Sequence, residues 1–166
     1  MAAGFRPFRS FALRYLVLLA VLSAAVSTDT FMKSVSLPLN GVIASLSAAF
    51  LHLFEPGARS AGAVLWSGGS SVLIGQGCNG VEVFAILLPA FVAAPASLSA
   101  RIAGMASAIG VVTVLNVVRV VTLLKAQGGS AEIFSLAHLY VWPALLIAAS
   151  LALFLFWLQR FAATPE

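Results

Sequence analysis

Charge, cysteine and histidine are the scarce components of this chain of 166 residues. Charged residues make up 8% of the sequence and hydrophobic residues 61%, and the mean hydropathy is +1.08. A soluble domain of this length needs a charged surface that so few charges cannot supply. The composition therefore excludes an ordinary soluble fold and predicts an integral membrane protein.

The single cysteine, Cys78, excludes an intramolecular disulfide and any redox or zinc site built on two cysteines. The two histidines, His52 and His138, are too few for a histidine-rich metal centre, and the sequence indicates no cofactor. The net charge of +4 comes from bases that lie singly between hydrophobic runs. Because these bases form no stripe, they indicate membrane topology and not nucleic-acid binding.

Long apolar runs are what the chain has in abundance. They predict an all-α integral membrane protein, a single domain over 1–166, with about four transmembrane helices, an interfacial amphipathic helix and a small extramembrane β-hairpin. The predicted segments are a first span at 11–32, the interfacial helix at 35–54, the hairpin at 62–76, and three further spans at 79–96, 102–124 and 138–159. Two alternatives stay open: the first run is a cleaved signal peptide, or 35–54 is a fifth, poorer span.

The segment 35–54 differs from the other apolar segments in its pattern. Its apolar residues fall at helical spacing on one side, and polar residues such as Asn40, Ser45 and His52 interrupt the rest. This pattern favours a helix that lies in the membrane interface. In the following segment, two short β-like runs flank Gly68-Gly69, which predicts the hairpin.

Arg119 lies inside an apolar helix, where an ionisable side chain is costly unless it is paired or near water. It is therefore a candidate site residue, the alternative being an arginine that extends to the lipid headgroups from near a helix end. The helix 102–124 runs away from Arg101, so Arg119 lies near the opposite face of the membrane. Cys78 precedes the helix that leads to Arg101, and His138 begins the helix after the next loop. All three residues are thus predicted to share one face.

Together these three residues can perform nucleophilic chemistry. A thiol is a weak nucleophile until a base removes its proton or a cation lowers its pKa. His138 can act as the base, and Arg119 can stabilise a thiolate or an oxyanion. Cys78 lies just before a helix, near the positive end of its dipole, and Gly80 would allow another backbone to approach closely. From spacing alone, a structural cysteine, an interfacial histidine and an isolated arginine are an equal alternative.

Further polar residues surround the three. Asn79 lies beside the cysteine in sequence, and Asn116 precedes Arg119 by one helical turn, where its amide can orient the guanidinium or bind substrate. Glu82 lies four residues after the cysteine, on the same helical side. It can pair with Arg119 or His138, or it is simply an acid at headgroup level near a helix N-terminus.

Three ordered segments carry a family resemblance. Gly77-Cys-Asn-Gly-Val-Glu82, Asn116-Val-Val-Arg119 and Ala137-His-Leu-Tyr-Val-Trp142 resemble the Cys, Arg and His motifs of the exosortase/archaeosortase family. The similarity extends from the predicted interfacial helix to the last span. The short length of the chain and the amino-acid sequences of the first and third segments make it most similar to the compact exosortase H branch.

The resemblance implies roles for these residues and a class of substrate. It implies Cys78 as nucleophile, Arg119 as active-site cation and His138 as general acid/base, whereas Glu82 stands where larger exosortases often have a basic residue and receives no role. The implied partner is a secreted protein whose C-terminal signal combines a motif of the IPTLxxWG type, a hydrophobic helix and an Arg-rich end. The implied reaction is thioester formation near that motif, followed by transfer or hydrolysis, without a cofactor.

The broken apolar pattern of 35–54 and the family resemblance favour four spans with a site on the outer face. With four spans, the N-terminal arginines, Arg101 and Arg160 are cytoplasmic, which places the site at the periplasmic face of a bacterial cytoplasmic membrane. Five spans score equally well and would turn the site to the cytoplasm. The rival interpretation is a non-enzymatic transporter or assembly subunit, in which Arg119 and Glu82 form a buried ion pair.

Overall fold

Five helices and one small sheet make up the computed structural model, which describes residues 5–127 and 129–161. The helices are α1 (Phe5–Val26), α2 (Asp29–His52), α3 (Val81–Ala93), α4 (Leu98–Ala126) and α5 (Ala131–Phe161). Between α2 and α3 the chain forms β1 (Arg59–Ala61), β2 (Val64–Ser67) and β3 (Ser70–Leu73).

Four of the helices, α1, α2, α4 and α5, are long and apolar enough to cross a membrane by length and composition. The expectation of a mostly helical membrane protein with about four such helices is confirmed, although the set differs from the expected one. The predicted interfacial segment 35–54 lies largely within α2, which has 24 residues and qualifies by length. The predicted span 79–96 contains α3, which has 13 residues and is about 20 Å long.

Side-chain caps explain where the helices begin. The Thr28 hydroxyl accepts a hydrogen bond from Phe31 N–H at 3.2 Å, so the chain starts a new helix at Asp29 where one span over 11–32 was predicted. Ser130 caps α5 in the same way through Ile133 N–H at 3.3 Å, and α5 therefore begins seven residues before the predicted 138.

A π-helical turn interrupts α2 at Met32–Ser36 and another interrupts α5 at Ala137–Val141. Each turn ends shortly before a proline, Pro38 in the first case and Pro143 in the second. Proline has no N–H to donate, and its ring displaces the carbonyl four residues earlier, so the helix widens there. The second turn contains His138, and π-helical turns are frequent at functional sites.

The predicted hairpin is confirmed, and a third strand joins it. β2 and β3 pair antiparallel with Ser67 opposite Ser70, and Gly68 and Gly69 form the turn with φ of +58° and +82°. A two-residue turn with both central residues at positive φ matches the twist of the flanking strands, and glycine permits it. β1 pairs with the other edge of β2, which gives the order β1-β2-β3.

Two apolar clusters hold these elements together. The sheet cluster joins α2 and the β-segment to the C-terminal part of α4, and its members are Ile43, Ala44, Ala48, Leu51, Ala58, Leu65, Ile74, Val120 and Leu124. The helix cluster joins α3, α4 and α5, and its members are Leu87, Phe91, Ala94, Ala108, Val112 and Trp157. α2 thus makes its main contacts with the strands and with the end of α4.

Candidate active site

The cysteine lies in a tight loop between β3 and α3 that glycine makes possible. Gly77 and Gly80 have φ of +77° and +82°, a region that residues with a Cβ rarely adopt. Between them, Cys78 N–H donates to the Gly75 carbonyl at 3.2 Å. The loop therefore presents the half-buried thiol in a fixed backbone conformation just before α3 begins.

Arg119 and Glu82 both hold this loop through the backbone of Gly77. Arg119 donates from Nη1 to the Gly77 carbonyl at 2.8 Å, and Glu82 Oε1 accepts from Gly77 N–H at 3.0 Å. Among the described residues, Glu55 and Lys125 form the one ion pair with a nitrogen–oxygen distance below 4 Å. Arg119 and Glu82 therefore do not form the direct ion pair that the transporter interpretation predicts.

Asn79 ties the cysteine loop to α2. Its Nδ2 donates to Ser36 Oγ at 2.7 Å and to Asn40 Oδ1 at 2.8 Å, and its Oδ1 accepts from Val81 N–H at 3.0 Å. All three side chains are buried. Sequence reasoning noted Asn40 as a polar interruption of an apolar helix but assigned it no partner. The signal was present, because a buried amide needs a hydrogen-bonding partner.

Gly80 brings α3 against α4. A Cβ built on it would lie 2.6 Å from Asn116 Nδ2 and 2.9 Å from Val112 Cγ1. The sequence predicted the close approach of another backbone at Gly80, whereas these nearest atoms belong to side chains of α4. The Asn116 amide donates to the Val112 carbonyl of its own helix at 2.9 Å, and it makes no hydrogen bond to Arg119.

Arg119 is 4% exposed although it carries a charge, and its Nε has no hydrogen-bond partner within the described residues. Beside it lies a cavity of about 190 Å³ that is also lined by Gly77, Gly80 and Glu82. A buried guanidinium with a free N–H next to a cavity is suited to bind an oxygen of a substrate or a developing oxyanion.

Cys78 and His138 line a second cavity, of about 240 Å³, between β3, the end of α4 and the start of α5. The imidazole stacks on Phe134 with ring centroids 5.8 Å apart, and its Nδ1 is buried without a partner. In the described structure no hydrogen bond joins the two side chains, so a substrate group or water can enter between them.

The electrostatic environment of the thiol has two opposing parts. Burial raises the pKa of Cys78 above its ordinary value, and the nearby Arg119 guanidinium partly opposes this effect. The Glu82 carboxylate adds a smaller effect that raises the pKa further. The position before α3 therefore does not by itself bring the pKa of the thiol below its ordinary value.

All of the sequence-predicted site residues thus lie around one loop. Cys78 and His138 line one cavity, and Arg119 and Glu82 line the adjacent cavity. The hydrogen bonds of Asn79 and the contact of Gly80 with Asn116 anchor the loop. Among the described residues, no three His, Cys, Asp or Glu side chains lie close enough together to hold a metal ion.

Residues 1–157 match the family model described as transmembrane exosortase. The chain belongs to the transmembrane exosortase family. This exosortase is therefore a multi-pass membrane protein, and its family is one of membrane transpeptidases that process secreted proteins. No curated protein and no solved structure matches the chain.

Proposed function

We propose that this exosortase is a cysteine transpeptidase/protease that cleaves and sorts secreted proteins with a C-terminal tripartite signal. In this proposal Cys78 is the nucleophile, His138 the general acid/base and Arg119 the cation that stabilises the oxyanion. The observation that carries the proposal is the shared cavity of Cys78 and His138, with Arg119 held against the cysteine loop by its bond to Gly77.

The arrangement supports a two-step acyl transfer. As Cys78 Sγ attacks the carbonyl carbon of the scissile peptide bond, His138 takes the thiol proton and the carbonyl oxygen becomes negative beside Arg119. Collapse of this intermediate breaks the C–N bond, and His138 gives the proton to the leaving amine, which leaves a thioester on Cys78. An acceptor amine or water then attacks the thioester, and the thiol is regenerated.

Because burial raises the pKa of Cys78, the thiol needs a base to take its proton during attack. His138 Nδ1 has no partner within the described chain and is free to take part when substrate enters the cavity. The base is therefore needed for the chemical step itself, and a variant without it is expected to lose activity even at saturating substrate.

Asn79 is a positioning residue in this proposal. Its bonds to Ser36 and Asn40 connect the cysteine loop to α2, and its bond to Val81 N–H fixes the start of α3. Because Asn79 lies next to Cys78 in the chain, we expect this amide to contribute to the orientation of the thiol.

We further propose that the protein lies in the bacterial cytoplasmic membrane with the site at the periplasmic face. Arg14 and Arg101 line one cavity, and Trp157 Nε1 bonds to the Ala100 carbonyl at 2.9 Å, which puts the end of α5 with Arg160 near that same end of the bundle. These bases lie away from the Cys78 loop, as the positive-inside rule prefers for a periplasmic site. The contacts of α2 with the sheet support an interfacial position for that helix.

The experiment is co-expression of the exosortase with a secreted reporter that carries the tripartite signal, followed by intact mass measurement of the reporter. We expect the wild type to remove the C-terminal tail and Cys78→Ala to leave it in place while the protein still accumulates in the membrane. The new mass separates hydrolysis from transfer. Processing by Cys78→Ala at the wild-type rate would refute the nucleophile assignment.

Matched variants test the other two roles. His138→Ala is expected to lose processing, whereas His52→Ala, at an exposed histidine, is expected to retain it. Arg119→Lys keeps the charge but cannot reproduce the geometry of a guanidinium, so it is expected to lose most activity if a directed contact to the oxyanion is required. Full activity of Arg119→Lys would show that charge alone is sufficient.

A further inference from the structure

Another cavity, of about 400 Å³, opens between α3 and α5 and contains none of the proposed catalytic residues. Its walls are apolar except for the hydroxyl-bearing side chains of Tyr15 and Ser150. The lining residues are Tyr15 from α1, Val83, Ile86, Leu87 and Ala90 from α3, and Ile147, Ser150, Leu151 and Phe154 from α5.

This cavity continues into the one that contains Arg119. Val83, Ile86 and Ile147 line both, so the two form one trough that begins beside Glu82 and Arg119 and runs between the helices to Phe154. We call this trough the α3–α5 groove. Its outer edge is open, because Ile147 is 63% and Leu151 55% exposed.

One feature of the groove indicates an occupant with hydrogen-bonding capacity. The Ser150 hydroxyl is buried and has no hydrogen-bond partner in the part of the chain that the structure describes. In an apolar environment an unpartnered hydroxyl is costly, and a neighbouring helix is a common source of a partner for it in membranes. Ser150 and Ala90 are also small, so both walls allow another helix to approach closely.

We propose that the α3–α5 groove binds the hydrophobic helix of the substrate's C-terminal signal. The inference rests on the proposed function, in which the scissile bond lies on the N-terminal side of that helix. A helix in the groove would place its N-terminus in the cavity that Glu82 and Arg119 line. There the Glu82 carboxylate complements the positive end of a helix dipole, while the Arg119 guanidinium stays bound to the Gly77 carbonyl. The preceding motif would then enter the catalytic cavities directly, and the Arg-rich end would leave at the opposite end of the groove.

Site-specific photo-crosslinking tests this placement. A photo-reactive residue replaces Leu151, which lines the groove, or Leu145, which lies on the same helix, is 49% exposed and lines none of these cavities. Both replacements are made in the Cys78→Ala background, so that the reporter stays uncleaved. We expect the position of Leu151 to crosslink the reporter through its hydrophobic helix and the position of Leu145 not to do so.

Three results would overturn the placement while leaving the function intact. In each case the wild type still processes the reporter. The first result is equal crosslinking from both positions, and the second is no reporter crosslink from the position of Leu151. The third is an adduct at the position of Leu151 with the mass of a phospholipid instead of the reporter. If the wild type fails to process the reporter and neither position crosslinks it, the proposed function falls together with the groove assignment.

A second measurement blocks the groove without a probe. Ile147→Trp adds a large ring at an exposed groove position, and Leu145→Trp adds the same ring away from it. We expect processing by Ile147→Trp to fall about tenfold or more, chiefly through a higher KM, since a competing side chain weakens substrate binding. Leu145→Trp is expected to stay close to wild type, and an equal loss in both variants would contradict the inference.

Discussion

The sheet cluster and the helix cluster are packed in different ways. The sheet cluster is made of alanine, valine, leucine and isoleucine from α2, the β-segment and the end of α4, and polar contacts such as Glu55 with Lys125 and Ser67 lie beside it. The helix cluster is built on aromatic rings, with Phe91 edge-on to Trp157 at 4.9 Å between centroids. Gly104 lies beneath both rings.

The proposed interfacial position of α2 accounts for the difference, because it puts the helix cluster in lipid and the sheet cluster against water. Helices in lipid gain little from burying apolar surface, so close shape-matched packing around a small residue must hold them together. A cluster against water gains from apolar burial itself and tolerates looser packing of aliphatic side chains. The candidate site lies where the two clusters meet, because α4 contributes Val112 to one, Val120 to the other, and Asn116 and Arg119 between them.

The largest effect on stability and activity is expected from a change at the junction, the place near Gly80 and Asn116 where the two clusters meet. Gly80→Ala combines a Cβ at φ +82° with an approach of 2.6 Å to Asn116 Nδ2, and should cost about 2–4 kcal/mol of stability and most of the processing activity. Gly69→Ala is the control, because Gly69 also has φ of +82° but nothing lies within 4 Å of its Cβ. Thermal unfolding in detergent and the reporter assay measure both effects. Equal losses in the two variants would show that strain alone, without the contact, is responsible.

The next largest loss of stability is expected from a substitution in the helix cluster. A Cβ on Gly104 would lie 2.5 Å from Phe91 Cδ1 and 2.7 Å from Trp157 Nε1, so Gly104→Ala should cost about 1–3 kcal/mol. Gly110→Ala on the same helix meets nothing within 4 Å and should be neutral or stabilise by about 0.5–1 kcal/mol. In a thermal unfolding assay, we expect Gly104→Ala to lower Tm and Gly110→Ala to leave it unchanged or raise it. A higher Tm for Gly104→Ala would contradict the packing described.

A smaller effect tests the charges at the junction. Because burial raises the pKa of Cys78, its alkylation rate should reach half its maximum at a pH above that of an exposed cysteine, about 8.5. The Glu82 carboxylate raises this pKa, so Glu82→Gln should shift the profile to lower pH, whereas Arg119→Gln should shift it to higher pH. Shifts in the same direction would refute this electrostatic account.

The smallest effect is expected at the edge of the sheet cluster. Hydrogen bonds from Lys125 and Ser67 lower the pKa of Glu55 below its ordinary value. Their stabilising contribution is therefore present above the pKa of the unfolded chain and is lost as pH falls through the folded pKa. Lys125→Ala should lower Tm slightly near neutral pH and leave it unchanged in acid. The control Lys33→Ala should leave Tm unchanged at both pH values. A Tm loss that persists in acid would exclude this ion pair as its cause.

The sequence predicted the spatial grouping of the candidate residues better than it predicted the bounds of the segments that carry them. Cys78, Arg119 and His138 could be assigned to one face because alternating helix directions fix where a loop lies. The break at Thr28 and the early start of α5 were missed, since capping hydroxyls occur inside polar stretches that resemble any loop. β1 was also missed, because a three-residue strand has too little periodicity to be seen.

Composition and pattern by themselves determined that this protein is helical, lies in a membrane, has a β-hairpin at Gly68-Gly69 and carries a single cysteine, which excludes an intramolecular disulfide. These properties depend on local residue types and on the length of apolar runs. The tertiary structure alone decided that Arg119 and Glu82 meet at Gly77 and not at each other, that Asn79 binds α2, and that a groove opens between α3 and α5. Such contacts join residues far apart in sequence, and side-chain packing in three dimensions selects them.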